Sequence, residues 1–97
     1  MITDESLERV RGWFTGRLPA DWQVEPPEIE VDREEITVVL TIADVASPEA
    51  SEAEVGEARV GRAKAFREDT REQRMAIARE AQHRYERKVS WGVRVGE

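Results

Sequence analysis

The apolar positions of this chain change period three times, and each change marks an element boundary. Leu7, Val10 and Phe14 recur at helical spacing behind Thr3-Asp4-Glu5. Thr3 suits an N-cap, and acids in a first turn complement the helix dipole. Gly16 and Pro19 then stop the helix, which predicts one over about residues 4–15. From there the period drops to two. Ile29 and Val31 alternate with acids, and Ile36, Val38, Leu40 and Ile42 alternate with Thr37, Val39 and Thr41. This predicts two strands joined by a polar hairpin loop at Asp32-Arg33-Glu34-Glu35. Pro26-Pro27 and the outward acids Glu28, Glu30 and Asp32 make the first strand an edge.

Residues 44–56 are small and acidic and predict a flexible loop. Beyond them Ala63, Phe66, Thr70, Ile77, Ala81 and Tyr85 fall on one helical face, with Glu68, Glu72, Arg79 and Glu86 opposite. Gly56 and Gly61 each cost about 1 kcal/mol in a helix interior relative to Ala, so the regular helix is expected to begin near 57 or 62 and to run to Arg87. Glu68–Arg71 and Glu80–Arg84 have helical ion-pair spacing. Arg84, Arg87 and Lys88 fall in the last turn, where positive charge complements the dipole. Val89, Trp91, Val93 and Val95 alternate again and predict a third strand. The expected class is α+β, in the order α-β-β-α-β: a three-stranded sheet covered on one face by a short N-terminal helix and a long second helix. A helix of about thirty residues would span about 45 Å against roughly 27 Å for an eight-residue strand. It must overhang, bend, or lie against a second copy. The last is the preferred expectation, with a homodimer seam at Phe66, Met75 and Tyr85 flanked by the charged stretch Arg67–Arg74.

Composition narrows the function by exclusion. Residues 1–97 are expected to form one domain. There is no cysteine, which removes disulfides, thiolate metal sites and thiol catalysis. No apolar run is long enough for a membrane span and MITDESLERV is not a signal peptide, so a cytoplasmic location without membrane contact is expected. The net charge of −6 is divided unevenly, −10 over residues 1–56 and +4 over residues 57–97. That division fits self-complementary assembly, internal screening, or a basic patch for an acidic partner.

Chemistry-bearing patterns are few. Glu80-Ala-Gln-His83 has the Glu-x-x-His spacing of carboxylate-bridged di-iron sites, but such sites draw further Glu from neighbouring helices, and this is the sequence's single histidine. A surface histidine is the simpler reading. No Ser-His-Asp order stands out, and Gly56-x-x-x-x-Gly61 is followed by Arg62-Ala63 rather than Lys-Ser/Thr, so no phosphate loop is present. No catalytic residue, metal ligand, cofactor or small-molecule substrate is predicted, and the chain is not expected to be an enzyme. A nucleic-acid surface has more support. Arg62, Lys64, Arg67, Arg71 and Arg74 line the predicted helix, and Arg84, Arg87 and Lys88 cluster at its end. Trp91 offers a ring to stack a base, although its alternation with Val89 and Val93 favours burial. Interleaved acids and a pI near 4.9 weaken this reading.

Two resemblances bear on the class. The element order is similar to the KH fold with its extra helix and strand at the N-terminus. Val60-Gly61-Arg62-Ala63 would then stand where KH domains carry a Gly-x-x-Gly backbone clamp, with the second glycine missing. Over nearly the whole chain, Arg11-Gly12-Trp13-Phe14-x-Gly16-Arg17-Leu18-Pro19, Asp32-Arg33-Glu34-Glu35-Ile36 and FREDTREQRMAIAREAQHRYERKVSWG resemble an uncharacterised family of actinobacterial proteins. The longer members of that family continue into a segment similar to a ribbon-helix-helix DNA-binding unit. This resemblance implies an accessory or oligomerisation domain beside a DNA reader, and it carries over no functional residues. The expected function is therefore a non-enzymatic interaction module, a homodimer, with a degenerate KH-like nucleic-acid binder as the alternative.

Overall fold

The computed structural model describes residues 3–96. Helix α1 spans Asp4–Arg17, and the Thr3 side chain accepts from the Ser6 amide as its N-cap. It runs slightly past the expected end, until the extended backbone of Leu18 closes it with a bond to the Phe14 carbonyl. A 3-10 turn at Ala20–Trp22 follows, unannounced by any apolar period. It lays Trp22 edge-on against Phe66, with ring centroids 5.5 Å apart.

Strands β1 (Glu28–Val31) and β2 (Glu35–Ile42) form the predicted hairpin. Its turn is held by Asp32, whose Oδ1 accepts from the amides of Glu34 and Glu35 at 2.8 and 2.7 Å. Those two bonds hold the Asp32 carboxyl below its usual range. Strand β3 (Lys88–Val95) lies parallel to β2 on its other side, so β2 is the central strand of a mixed sheet ordered β1-β2-β3. A parallel pair needs a long crossover, and the helices between β2 and β3 supply it.

That crossover corrects two expectations. The helix begins at Glu52 rather than near 57 or 62, so residues 52–56 belong to it and the acidic loop shortens. Ser51-Glu52-Ala53-Glu54 forms a capping box: Ser51 Oγ accepts from the Glu54 amide and Glu54 Oε1 accepts from the Ser51 amide, both at 3.2 Å. A satisfied cap of this kind contributes about 1 kcal/mol and offsets one interior glycine. The helix is also not continuous. It divides into α2 (Glu52–Asp69) and α3 (Arg71–Tyr85) at Thr70, whose φ of −107° and ψ of 5° leave the helical region. The order is thus α-β-β-α-α-β. The expected α+β class stands, with two crossover helices instead of one.

Phe14, Ile36, Val38, Leu40 and Ile77 are the largest side chains sealed in the core. Val10, Ile29, Ile42, Phe66 and Ala81 join them, so all three helices pack on the sheet face that carries Ile36, Val38, Leu40 and Ile42. Burying side chains of this size contributes about 1.5–3 kcal/mol each before entropy is subtracted.

Candidate interaction surface

The arginine-rich helix of the sequence does not present one basic face. Arg74 is buried, 6% exposed, between the helix break and β3. Its Nε donates to Thr70 Oγ1 at 3.0 Å and its Nη2 to the Arg67 carbonyl at 2.6 Å, while its guanidinium lies 5.9 Å from the centre of the Trp91 ring. Burial first, then the neighbouring charges of Arg67 and Arg71, hold its pKa below the ordinary arginine value. Thr70 Oγ1 in turn donates to the Phe66 carbonyl at 2.7 Å. Arg74 and Thr70 thus occupy carbonyls of the last turn of α2, and Arg74 does not belong to an exposed flank. Arg62 is half-buried, and Lys64, Arg67 and Arg71 are exposed. Lys64 pairs with Glu68 at 2.7 Å, which replaces the expected Glu68–Arg71 pair.

The end of α3 is better organised. Its C-cap, Glu86, adopts the left-handed conformation (φ 56°, ψ 42°) that a glycine usually supplies. Arg87 Nη1 donates to the Tyr85 carbonyl and its Nε to the Asp32 carbonyl at 2.7 Å, so Arg87 ties the hairpin loop to the helix end. Between them opens a cleft of about 700 Å³ in which acids (Asp32, Glu34, Glu35, Glu86) and bases (Arg33, Arg87, Lys88) alternate. A second, shallower cleft of about 560 Å³ is lined by Arg9, Gly12, Trp13, Arg84 and Tyr85. Trp13 and Tyr85 meet edge to face there at 6.1 Å, and the Arg84 guanidinium lies over the tyrosine ring at 5.7 Å. Arg84, Arg87 and Lys88 therefore share one corner of the molecule, but only Arg84 stands beside exposed aromatic surface.

Neither the seam nor the di-iron pattern is assembled. Phe66 is turned inward onto Trp22 and Tyr85 onto Trp13, leaving Met75 exposed by itself. Glu80 is held by Arg17 through Nε–Oε1 at 2.6 Å and Nη2–Oε2 at 2.9 Å, not by Arg84, and the pairing lowers its pKa. His83 is exposed, and no cluster of His, Cys, Asp and Glu fit for a metal occurs among the described residues. No described helix is long and apolar enough to cross a membrane.

The two edges of the sheet differ. β1 is four residues long, carries outward acids and follows Pro26-Pro27, all devices that discourage pairing. β3 is eight residues long and contains no proline. Its direction of pairing follows from its ends. The Lys88 amide donates to the Glu34 carbonyl and the Gly96 amide to the Ile42 carbonyl. By the strand period of two, the even-numbered residues between them face β2, and the amides and carbonyls of Val89, Trp91, Val93 and Val95 point away from the sheet. The side chains of these same four residues are only half-buried, whereas their β2 counterparts Ile36, Val38, Leu40 and Ile42 are sealed. Trp91 accordingly sits on the core side, as its alternation foretold. Its indole N–H is buried without an acceptor among the described residues. The sequence marked β3 as a strand but held no signal that it would lie outermost, because strand order depends on the handed crossover.

Fold and surface together define a small α+β domain with one guarded and one open sheet edge. The chain belongs to the Rv1265-like protein family: the model of that family's N-terminal domain matches residues 8–97. Similar relatives are uncharacterised protein Rv1265 of Mycobacterium tuberculosis (strain H37Rv) and uncharacterised protein Mb1296 of Mycobacterium bovis. Each is 55% identical over 84 residues, or 87% of this chain. The chain spans 36% of the length of these relatives, which bears out the resemblance to a family of longer actinobacterial proteins. No solved structure matches it.

Proposed function

We propose that this domain is a non-enzymatic interaction module that brings together copies of a longer protein. The observation that carries this reading is the contrast between the two sheet edges. One is shortened, acidic and preceded by two prolines, while the other leaves the amides and carbonyls of Val89, Trp91, Val93 and Val95 open along a half-buried apolar row. Beside a DNA-reading segment such as the family resemblance implies, a module of this kind sets the number of readers in one assembly. Light scattering across a concentration series tests it. A mass that rises toward the dimer value with concentration is expected, and a monomer throughout the high micromolar range overturns it.

A second reading, nucleic-acid contact, draws support from the cleft where Trp13 and Tyr85 stand with Arg9 and Arg84. Aromatic rings beside guanidinium groups suit single-stranded bases and their phosphates. The division into α2 and α3 also brings the element order closer to KH, but Asp69-Thr70-Arg71-Glu72 at the junction contains no glycine for a backbone clamp. Titration with single-stranded oligonucleotides at low salt tests this reading. Binding that weakens with salt and with Arg84→Ala supports it, and absence of binding ends it.

A further inference from the structure

We infer that the open edge of β3 is closed by β3 of a second copy, antiparallel about a two-fold axis through Gly92, so that two domains share one continuous sheet. The inference rests on the interaction-module reading and specifies its surface, its register and its occupant.

The backbone sets the first constraint. Only Val89, Trp91, Val93 and Val95 direct amides and carbonyls outward. A two-fold axis perpendicular to the sheet keeps each copy's helix side facing the same way, so odd residues must meet odd residues. Three registers satisfy this and keep at least three outward residues paired, with the axis at Trp91, Gly92 or Val93. With the axis at Gly92, Trp91 lies opposite the partner's Val93 and Val89 opposite the partner's Val95, and every outward residue of β3 gains a partner. With the axis at Trp91, Val95 falls opposite the partner's Arg87, beyond the strand, and with the axis at Val93 it is Val89 that falls beyond the partner's strand, so each of these registers loses a pairing.

Side chains are compatible with the Gly92-centred register. In the Trp91-centred arrangement Lys88 stands directly opposite the partner's Arg94, which already has Glu28 as its counter-ion and leaves no acid for the lysine. In the Gly92-centred arrangement Lys88 stands opposite the partner's Gly96. A Cβ at Gly96 would lie 3.1 Å from Asp44 Oδ2 and 3.4 Å from Arg59 Nη2, so the lysine ammonium meets an arginine–aspartate pair and no unbalanced like charge. Trp91 against Val93 is an aromatic–β-branched pair, a favourable cross-strand combination. Gly92 itself occupies the axis as a non-hydrogen-bonded pair, where the two Cα atoms approach to about 4.5 Å. Within its own chain a Cβ on Gly92 would press on Val39 Cγ2 at 3.3 Å.

Occupancy by a second copy accounts for exposure that the isolated domain leaves unexplained. Four apolar side chains that continue the core layer of β2 are half-buried along the edge strand, where no outer neighbour covers them. Another β3 supplies the matching apolar row in the matching order. β1 is a poor occupant, since it is half as long and carries Glu28 and Glu30.

The absence of cysteine from the sequence makes the register directly testable. In a Ser90→Cys, Arg94→Cys variant the two thiols are about 13 Å apart along one strand and cannot join within a chain. Across the Gly92-centred axis they face each other in close, non-hydrogen-bonded pairs. Mild oxidation at low micromolar concentration is expected to give a reducible covalent dimer with unchanged circular dichroism. The Lys88→Cys, Arg94→Cys variant, which reports the Trp91-centred register, stays unlinked. In the unmodified protein, amide exchange at Val89, Trp91, Val93 and Val95 is expected to slow as concentration rises. A dimer by light scattering that shows neither the cross-link between positions 90 and 94 nor that protection overturns this surface while self-association stands. Cross-linking of the Lys88→Cys, Arg94→Cys variant overturns the register. A persistent monomer overturns both this inference and the reading beneath it.

Discussion

The guanidinium of Arg74 reaches back seven residues and donates to the Arg67 carbonyl at 2.6 Å. Through Nε it also holds Thr70, whose hydroxyl donates to the Phe66 carbonyl. A helix that breaks inside a fold leaves polar groups to be satisfied. Here Arg74 serves the Arg67 carbonyl with no carboxylate involved, and the Thr70 hydroxyl is a second donor to the Phe66 carbonyl, which also accepts from the Thr70 amide at 3.0 Å. Replacing Arg74 by Leu is expected to lower stability by about 1–3 kcal/mol through the unpaired carbonyl, whereas Arg67→Leu, which keeps its backbone oxygen, costs less than about 0.5 kcal/mol. Urea melts of the two variants give the comparison, and equal losses would contradict this role for Arg74.

Ser51 fixes where α2 begins. Ser51→Ala removes one of the two capping-box bonds and is expected to cost about 1 kcal/mol, while Ser51→Gly costs a few tenths. For a domain of this size a loss of about 1 kcal/mol corresponds to roughly 4–8 °C in Tm. Calorimetry that finds the alanine variant as stable as the parent would remove the cap as the offset to an interior glycine of α2.

Glu86 is the single non-glycine residue at positive φ among the described residues. The left-handed region costs an ordinary L-residue about 1 kcal/mol or more, against which glycine carries a smaller entropic penalty. Glu86→Gly should therefore raise stability by something under about 1 kcal/mol, read as a higher urea midpoint with an unchanged slope. A lower midpoint would mean that the Glu86 carboxylate itself is needed in the cleft it lines.

Acid should weaken the domain in a defined window. Arg59, with the Ala46 and Val45 amides, brings the Asp44 carboxyl from 3.8 down to about 2. Arg94 lowers Glu28 and Arg17 lowers Glu80 in the same direction, each mainly through a direct hydrogen bond. A carboxyl whose folded pKa is depressed contributes fully above its unfolded value, and that contribution disappears as pH falls through the folded value. Stability is thus expected to be flat near neutrality and to decline between about pH 4 and pH 2. Asp44→Asn should flatten the lowest part of that decline in a pH series of thermal melts. An identical acid limb in the variant would remove Asp44 from the cause.

The sequence announced what depends on period and missed what depends on a single residue or on chain crossing. Leu7, Val10 and Phe14 marked α1, and the alternations around Val38 and Val93 marked β2 and β3, because each apolar face repeats often enough to stand out. The break at Thr70 has no such repeat. Thr70 lies on the same helical face as Phe66 and Ile77, and only its contact with Arg74, visible in three dimensions, shows why the helix stops there. The Ser51-x-x-Glu54 signature was readable, but two interior glycines drew the predicted start downstream. Arg74 looked like one cation among several, and its burial followed from the position of Trp91. The open edge of β3 was not legible at all, since strand order is decided by how the crossover places the final strand.

The mixed topology also has a consequence in time. β2 meets β1 across a hairpin of a few residues, but its other neighbour, β3, pairs Glu35 with Lys88 only after both helices have been made. The strand holding Ile36, Val38 and Leu40 thus emerges from the ribosome with one flank bare and stays so while the crossover is translated. Long-range parallel pairing is slow to form, and exposed strand edges attract other chains. In the nascent protein it is therefore β2, the strand best hidden in the finished fold, that waits longest for its second neighbour.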